Sequence, residues 1–249
     1  MADIIYFGDG DLNGAARYLA GIMDYSGLGF DYCPSDTPAS SIMENKEARV
    51  YIISDYPSRN FASKELEQIR KSVENGDSSL LMIGGWKSFH GQNGLYDKTR
   101  LTAVLPVKMM GKDDRLNSYK PLAVEPIGYH KIIRGLDLSR VPVVGGLNIV
   151  SKKEDYNCEL VLQVRELNIL KGETDYTLEW GNKYPLLTVG TYGKGKTAAF
   201  MSNVAPPWIG PMVYWGTRQV VAGGENSREI EVGDCYVEFF SNLVNWCLD

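Results

Sequence analysis

Four cysteines, Cys33, Cys158, Cys235 and Cys247, are scattered over 249 residues, and no two of them form a Cys-x-x-Cys pair. That spacing gives no support to a zinc site or a thioredoxin-type redox motif, and neither a metal nor a cofactor is expected. Reduced thiols in a cytoplasmic protein are the plain expectation. No apolar run reaches about 18 residues, so no membrane-spanning helix is expected. Residues 1–9 lack a basic stretch followed by a long apolar one, so no secretory signal is expected. Dense lysine and arginine runs are also missing. The 26 Lys+Arg are outweighed by 31 Asp+Glu, for a net charge of −5. A nucleic-acid surface needs a basic stripe, so neither nucleic acid nor membrane is expected as a partner. Internal repeats, low-complexity segments and a linker are absent too, and residues 1–249 are expected to form one domain.

What is present is an alternation of strand and helix signals in the first half. Residues 4–7 form a short buried strand that ends at Gly8-Asp9-Gly10. Residues 15–23 have helical spacing, with Ala15, Leu19, Ile22 and Met23 on one face. Residues 30–32 and 49–54 are further strand candidates. Residues 63–73 form an amphipathic helix with Leu66, Ile69 and Val73 inward and Ser63 as the expected N-cap. Residues 80–83, Leu-Leu-Met-Ile, then run into Gly84-Gly85-Trp86-Lys87-Ser88-Phe89-His90-Gly91. Strands separated by helices in this way imply βαβ units and a parallel sheet. Their unbroken apolar character fits strands covered on both faces.

The second half is richer in strands, expected at residues 101–107, 141–144, 160–164, 186–189 and 197–201. They imply an antiparallel extension of the sheet, closed by a helix near residues 235–248. Residues 190–197, Gly-Thr-Tyr-Gly-Lys-Gly-Lys-Thr, satisfy a phosphate-loop pattern. That chemistry requires a helix to follow. Here Pro206 and Pro207 come too soon, so a β-hairpin turning at residues 193–195 is expected instead.

Ser54-Asp55, Gly84-Gly85-Trp86-Lys87-Ser88-Phe89 with Gly91, Val104-Leu105-Pro106-Val107, Pro185-Leu186-Leu187, Tyr192-Gly193-Lys194-Gly195-Lys196, and Ser202-Asn203 with Ala205-Pro206-Pro207-Trp208 together form a pattern. By these motifs the chain resembles the class I glutamine amidotransferase-like superfamily, in particular a cytoplasmic branch with the Gly-Gly-Trp-x-Ser-Phe element. The resemblance covers most of the chain. It implies a flavodoxin-like α/β sandwich with a mainly parallel sheet. It also implies a nucleophilic cysteine on a sharp strand-to-helix turn, supported by a histidine and usually a glutamate. A thiolate would attack the amide, and backbone N–H groups would hold the oxyanion. In this chain Gly85 and Trp86 stand in that register, and the segment from Asn203 to Trp208 holds neither Asp nor His.

Two functions are therefore weighed. One is a non-catalytic module that binds a small polar ligand, such as a carbohydrate, or assembles as a homo-oligomer. Its site would comprise Asp9, Asp55, Gly84, Gly85, Trp86, Ser88, Phe89, His90, Asn203 and Trp208. Trp86, Phe89 and Trp208 would serve as an aromatic platform. The alternative is a hydrolase or amidotransferase-like enzyme with Ser88 as nucleophile and His90 as base, assisted by Asp9 or Asp55. His130 is expected to be structural or on the surface, and Tyr214-Trp215 to form an exposed lip or an oligomer contact.

Overall fold

The structure, a computed structural model, describes residues 2–44, 46–224 and 226–249. In chain order its elements are β1 (Ala2–Gly8), α1 (Arg17–Tyr25), β2 (Phe30–Pro34), α2 (Ser40–Met43), β3 (Ala48–Ser54), α3 (Ser63–Asn75) and β4 (Ser79–Ile83). There follow α4 (Leu101–Val104), β5 (Val107–Lys108), β6 (Arg115–Pro126), β7 (Val143–Asn148), β8 (Ser151–Lys152), β9 (Cys158–Lys171), β10 (Tyr176–Tyr192) and β11 (Gly195–Phe200). The chain continues through α5 (Pro206–Ile209), β12 (Gln219–Ala222) and β13 (Ile230–Gly233) to α6 (Asp234–Leu248).

Nine strands form one sheet in the order β2-β1-β3-β4-β11-β10-β9-β6-β7. The pairs from β2 to β11 are parallel, and those from β11 to β7 are antiparallel. The parallel half has the flavodoxin-like strand order, with β11 as its fifth strand. Ile4–Phe7, Val50–Ile53 and Leu80–Ile83 have no exposed surface at all, as expected for strands covered on both faces. The helix α6 packs against α1 and over β3, β4 and β11, while α3 lies on β4 and β11. Right-handed crossovers place α1 and α3 on opposite faces, which completes a three-layer sandwich.

Local details depart from the sequence reading in places. The N-cap of α3 is Ala62, not Ser63, and the Glu65 carboxylate reaches back to the Ala62 N–H at 2.5 Å. Leu66, Ile69 and Val73 are buried as expected. Residues 101–107 are not one strand. They form α4 and then β5, because Pro106 holds Leu105 extended (ψ 142°) and ends the helical turn. The antiparallel extension is present, but β6 went unrecognised, since its first half reads Arg-Leu-Asn-Ser-Tyr-Lys and the ladder is interrupted between Asn117 and Leu122. Residues 186–201 form the hairpin β10–β11, turning at Gly193-Lys194 with Tyr192 opposite Gly195. The residues that would open a phosphate-loop helix form β11 instead. The strands β9 and β10 run well past the buried spans at residues 160–164 and 186–189.

Candidate functional site

The carboxyl ends of β1, β3 and β4 meet at one edge of the sheet. The chain leaves β1 toward β2 and returns on the other side to β3, so the crevice between β1 and β3 is the topological switch point, where open α/β sheets bind ligands. Asp9 follows β1, Asp55 follows β3, and Gly84-Gly85 follow β4. Beyond β4, Lys87 extends back across the crevice. Its ammonium lies 2.9 Å from Asp9 Oδ1 and 3.2 Å from Ser35 Oγ. The Ser35 hydroxyl also donates to Asp9 Oδ1 at 3.3 Å, and the Gly10 N–H donates to Ser35 Oγ at 3.2 Å. The Asp9–Lys87 ion pair remains partly exposed (40% and 37% of the side chains).

Asp55 adopts a left-handed backbone conformation (φ +54°), uncommon for a residue with a side chain. This turns its carboxylate toward the neighbouring loop, where Oδ1 accepts the Lys87 N–H at 2.7 Å. Its own N–H donates to Ser88 Oγ at 2.9 Å. Burial pushes the Asp55 carboxyl up to about 6; the Lys87 N–H pulls it down, and the charge of Asp9 adds to the rise. A carboxyl whose folded pKa lies above the unfolded value binds more protons in the native state. Stability contributed this way is present at low pH and is lost as pH rises from about 4 through about 6. We expect wild type to lose on the order of 2 kcal/mol relative to Asp55→Asn between pH 4.5 and 7.5. Urea unfolding of both proteins at the two pH values checks this, and parallel pH dependences would contradict it.

The glycine turn itself is clamped by side chains from the antiparallel half. Asn148, at the end of β7, accepts the Gly85 N–H at 2.9 Å and donates to the Gly85 carbonyl at 3.2 Å and to Asp114 Oδ1 at 2.7 Å. Asp114 is buried and also accepts the N–H groups of His90 (3.0 Å) and Gly91 (2.9 Å). A Cβ on Gly85 would collide with the Asp55 carboxylate, and one on Gly84 with the Met201 carbonyl. Trp86 projects outward, 48% exposed, with the Arg115 guanidinium 4.4 Å from its ring centroid. Arg115 is in turn held by both oxygens of Asp113, at 2.9 and 2.7 Å.

Thus Asp9, Asp55, Gly84, Gly85, Trp86 and Ser88 do converge. Asn203 joins Asp9 and Asp55 around a narrow pocket of about 10 Å³, room for a water molecule. Convergence does not put the predicted roles in place, and the remaining candidates sit elsewhere. Ser88 is fully buried and takes the Asp55 N–H, while His90 Nδ1 pairs with Asp97 at 2.8 Å; no hydrogen bond joins Ser88 to His90 among the described residues. Phe89 is fully buried, and Trp208, 2% exposed, donates its indole N–H to Asn117 Oδ1 at 2.6 Å. The expected three-ring platform is therefore reduced to Trp86, because the other two rings fill the core. Asn203 Oδ1 is occupied in accepting the N–H groups of Ala205, just before α5, and of Ile209, its last residue. His130 accepts the Ile132 N–H at 3.1 Å, and Trp215 is buried beside an exposed Tyr214. Lys87, Asp114, Arg115 and Asn148 are the site residues that sequence reasoning missed.

None of the four thiols lies at the turn. Cys33, next to last in β2, is buried, with its sulfur 3.7 Å from both Ser41 Oγ and Tyr56 OH. Cys158 opens β9, and Cys235 and Cys247 lie in α6. Burial pushes all four thiols up, Cys247 to about 12, which favours the unreactive protonated form. Among the described residues no group of three or more His, Cys, Asp or Glu side chains is arranged to hold a metal ion. No helix among them is long and apolar enough to cross a membrane.

The profile of the GATase1_like family, described as putative glutamine amidotransferase, matches residues 41–219. The chain belongs to this family. Among solved structures, the cytoplasmic protein STM3548 from Salmonella typhimurium shares 26% identity at a TM-score of 0.70, over 98% of each chain. The cytoplasmic protein STM1381 from Salmonella typhimurium LT2 shares 22% identity at 0.71, over 98% of this chain and 99% of that one. A β-galactosidase from Rahnella sp. R3 shares the fold at 12% identity and TM-score 0.52; the match takes 99% of this chain but 31% of the galactosidase. No curated protein gives a significant match. The GATase1_like match spans every motif that carried the resemblance, from Ser54-Asp55 to Trp208.

Proposed function

We propose that this member of the GATase1_like family is a cytoplasmic, non-catalytic module that binds a small polar ligand at the carboxyl ends of β1, β3 and β4. The observation that carries this reading is the turn after β4. It holds no thiol, and Asp55 packs where any side chain on Gly85 would go. A charged Asp9–Lys87 pair stands at the mouth of the crevice. Carboxylates accept hydrogen bonds from hydroxyl or amide groups, and an ammonium donates to their oxygens. Trp86 adds an exposed ring suited to the flat, C–H-rich face of a sugar. A carbohydrate is the preferred ligand class, a choice with which the name of the Rahnella β-galactosidase agrees.

Ligand-observed NMR against a panel of monosaccharides, polyols and carboxamides, followed by calorimetry, tests the reading. Binding of one class is expected, weakened by at least about tenfold in Lys87→Ala, since a charge-assisted hydrogen bond is lost. Glutamine hydrolysis that disappears in both Ser88→Ala and His90→Ala would instead establish the enzymatic alternative. The His90–Asp97 pair is the observation in its favour, because a carboxylate is what orients a basic imidazole.

A further inference from the structure

The strands β9 and β10 extend beyond the sheet as a bare two-stranded arm. Pairing of β9 with β6 reaches no further than Glu166, opposite Leu122, and β11 pairs with β10 only from Leu187 onward. Residues 167–171 and 176–180 therefore pair with each other and, among the described residues, with no further strand. The segment 169–180 is exposed throughout. Such a two-stranded hairpin is marginally stable in water unless something covers it.

Its register sorts the side chains by face. Leu167 lies opposite Trp180, Ile169 opposite Leu178, and Lys171 opposite Tyr176. Directly opposed residues of an antiparallel pair share a face. One face is therefore nearly all apolar, with Ile169 55%, Tyr176 67%, Leu178 62% and Trp180 55% exposed. The reverse face carries Asn168 opposite Glu179 and Leu170 opposite Thr177. The charges are also divided along the arm. At its base Lys183 stands opposite Arg165, whose guanidinium lies 5.1 Å from the Trp180 ring centroid and 3.2 Å from Glu125. The turn at its tip carries Glu173 and Asp175, which outweigh Lys171 beside them.

We propose that residues 165–183 form a dimerisation arm, which packs by its apolar face on the same arm of a second copy, the two running antiparallel about a two-fold axis. The area suits this occupant. Each face offers roughly 500–600 Å² of apolar surface. Two together bury about 1,000–1,200 Å², the low end of a specific interface. The charges suit it as well. Arg165 is already neutralised by Glu125, and the antiparallel arrangement lays the acidic tip of each arm over Lys183 at the base of the other, a match that an isologous contact makes twice. Lysines at positions 171 and 183 disfavour the competing edge-to-edge addition of strands.

Sedimentation equilibrium on the full chain, from about 1 to about 100 µM, is the test. Wild type is expected to reach twice the chain mass. Leu178→Asp combined with Trp180→Ser is expected to remain at the single-chain mass, with unchanged far-ultraviolet circular dichroism. Lys183→Glu is expected to weaken the dimer by about 3–10-fold, and adding Glu173→Lys and Asp175→Lys to the same chain to restore it. A wild type of single-chain mass at every concentration would overturn the proposal, even if the arm then bound vesicles or another protein. So would a Leu178→Asp, Trp180→Ser chain that still dimerises, or a charge reversal that is not rescued.

Discussion

Replacing Gly84 by alanine is expected to cost at least about 3 kcal/mol and to lower the melting temperature by roughly 6–12 °C. The Gly84 N–H donates to the Phe200 carbonyl at 2.7 Å, which carries the β4–β11 ladder one residue past the strand. A new Cβ would land on the Met201 carbonyl and 2.8 Å from Asn148 Oδ1. Neither can give way. The Met201 carbonyl is held by the Asn148 N–H at 2.9 Å, and Asn148 Oδ1 is held by the Gly85 N–H at 2.9 Å. Relief requires β4 and β11 to part at the edge where the site is built. Gly14→Ala is the matched control, because the nearest atom to its Cβ would be the Asp11 carbonyl at 3.6 Å. That change is expected to stay within about 0.5 kcal/mol. Thermal unfolding followed by circular dichroism distinguishes the two, and equal melting temperatures would refute the close-packing account.

Asp114→Ala is expected to cost about 3–5 kcal/mol. The carboxylate is 1% exposed and accepts the N–H groups of His90 and Gly91 and the Asn148 side-chain amide. Alanine leaves the His90 and Gly91 N–H groups without this acceptor, at about 1–3 kcal/mol for each buried group that finds no water, and removes one partner of the Asn148 amide. Asp114 and Asn148 act as a unit, so the double variant with Asn148→Ala should cost less than the sum of the singles, by at least about 1 kcal/mol. Hydrogen exchange adds a local readout: the His90 and Gly91 amides should lose protection in Asp114→Ala while the amides of β1 and β3 keep theirs. Undiminished protection at His90 and Gly91 would show that the clamp is not what orders the turn.

Much of the parallel half was legible residue by residue. The apolar runs at residues 4–7, 49–54 and 80–83 and the helical stripe of Leu66, Ile69 and Val73 are local patterns, and each element they form is where they place it. The hairpin at residues 186–201 was equally local, since Pro206 and Pro207 leave a phosphate-loop helix no room. Residues 101–107 misled because an apolar run of that length suits a buried turn of helix as well as a strand. The polar first half of β6 gave no alternation to detect.

Within the site, Asp9, Asp55, Gly84 and Gly85 could be named in advance. Asp9, Asp55 and Gly84 each follow the last residue of a buried strand, Gly85 comes next, and parallel strands bring all such ends to one edge. Lys87, Asp114, Arg115 and Asn148 could not. Lys87 belongs to the turn but meets Asp9 only across the crevice, and Asp114, Arg115 and Asn148 reach the turn through pairings between distant segments, such as Arg115 opposite Asn148, which no local spacing encodes. Ser88 and His90 show the limit most directly. Two positions apart, they looked like partners, but the left-handed backbone at Phe89 (φ +50°) sends Ser88 inward to the Asp55 N–H and His90 away to Asp97. Local side-chain chemistry thus fixed where the crevice lies and that it has no thiol at its turn. Which groups share it was decided by backbone direction and by long-range register, because contact depends on the path of the chain and not on distance along it.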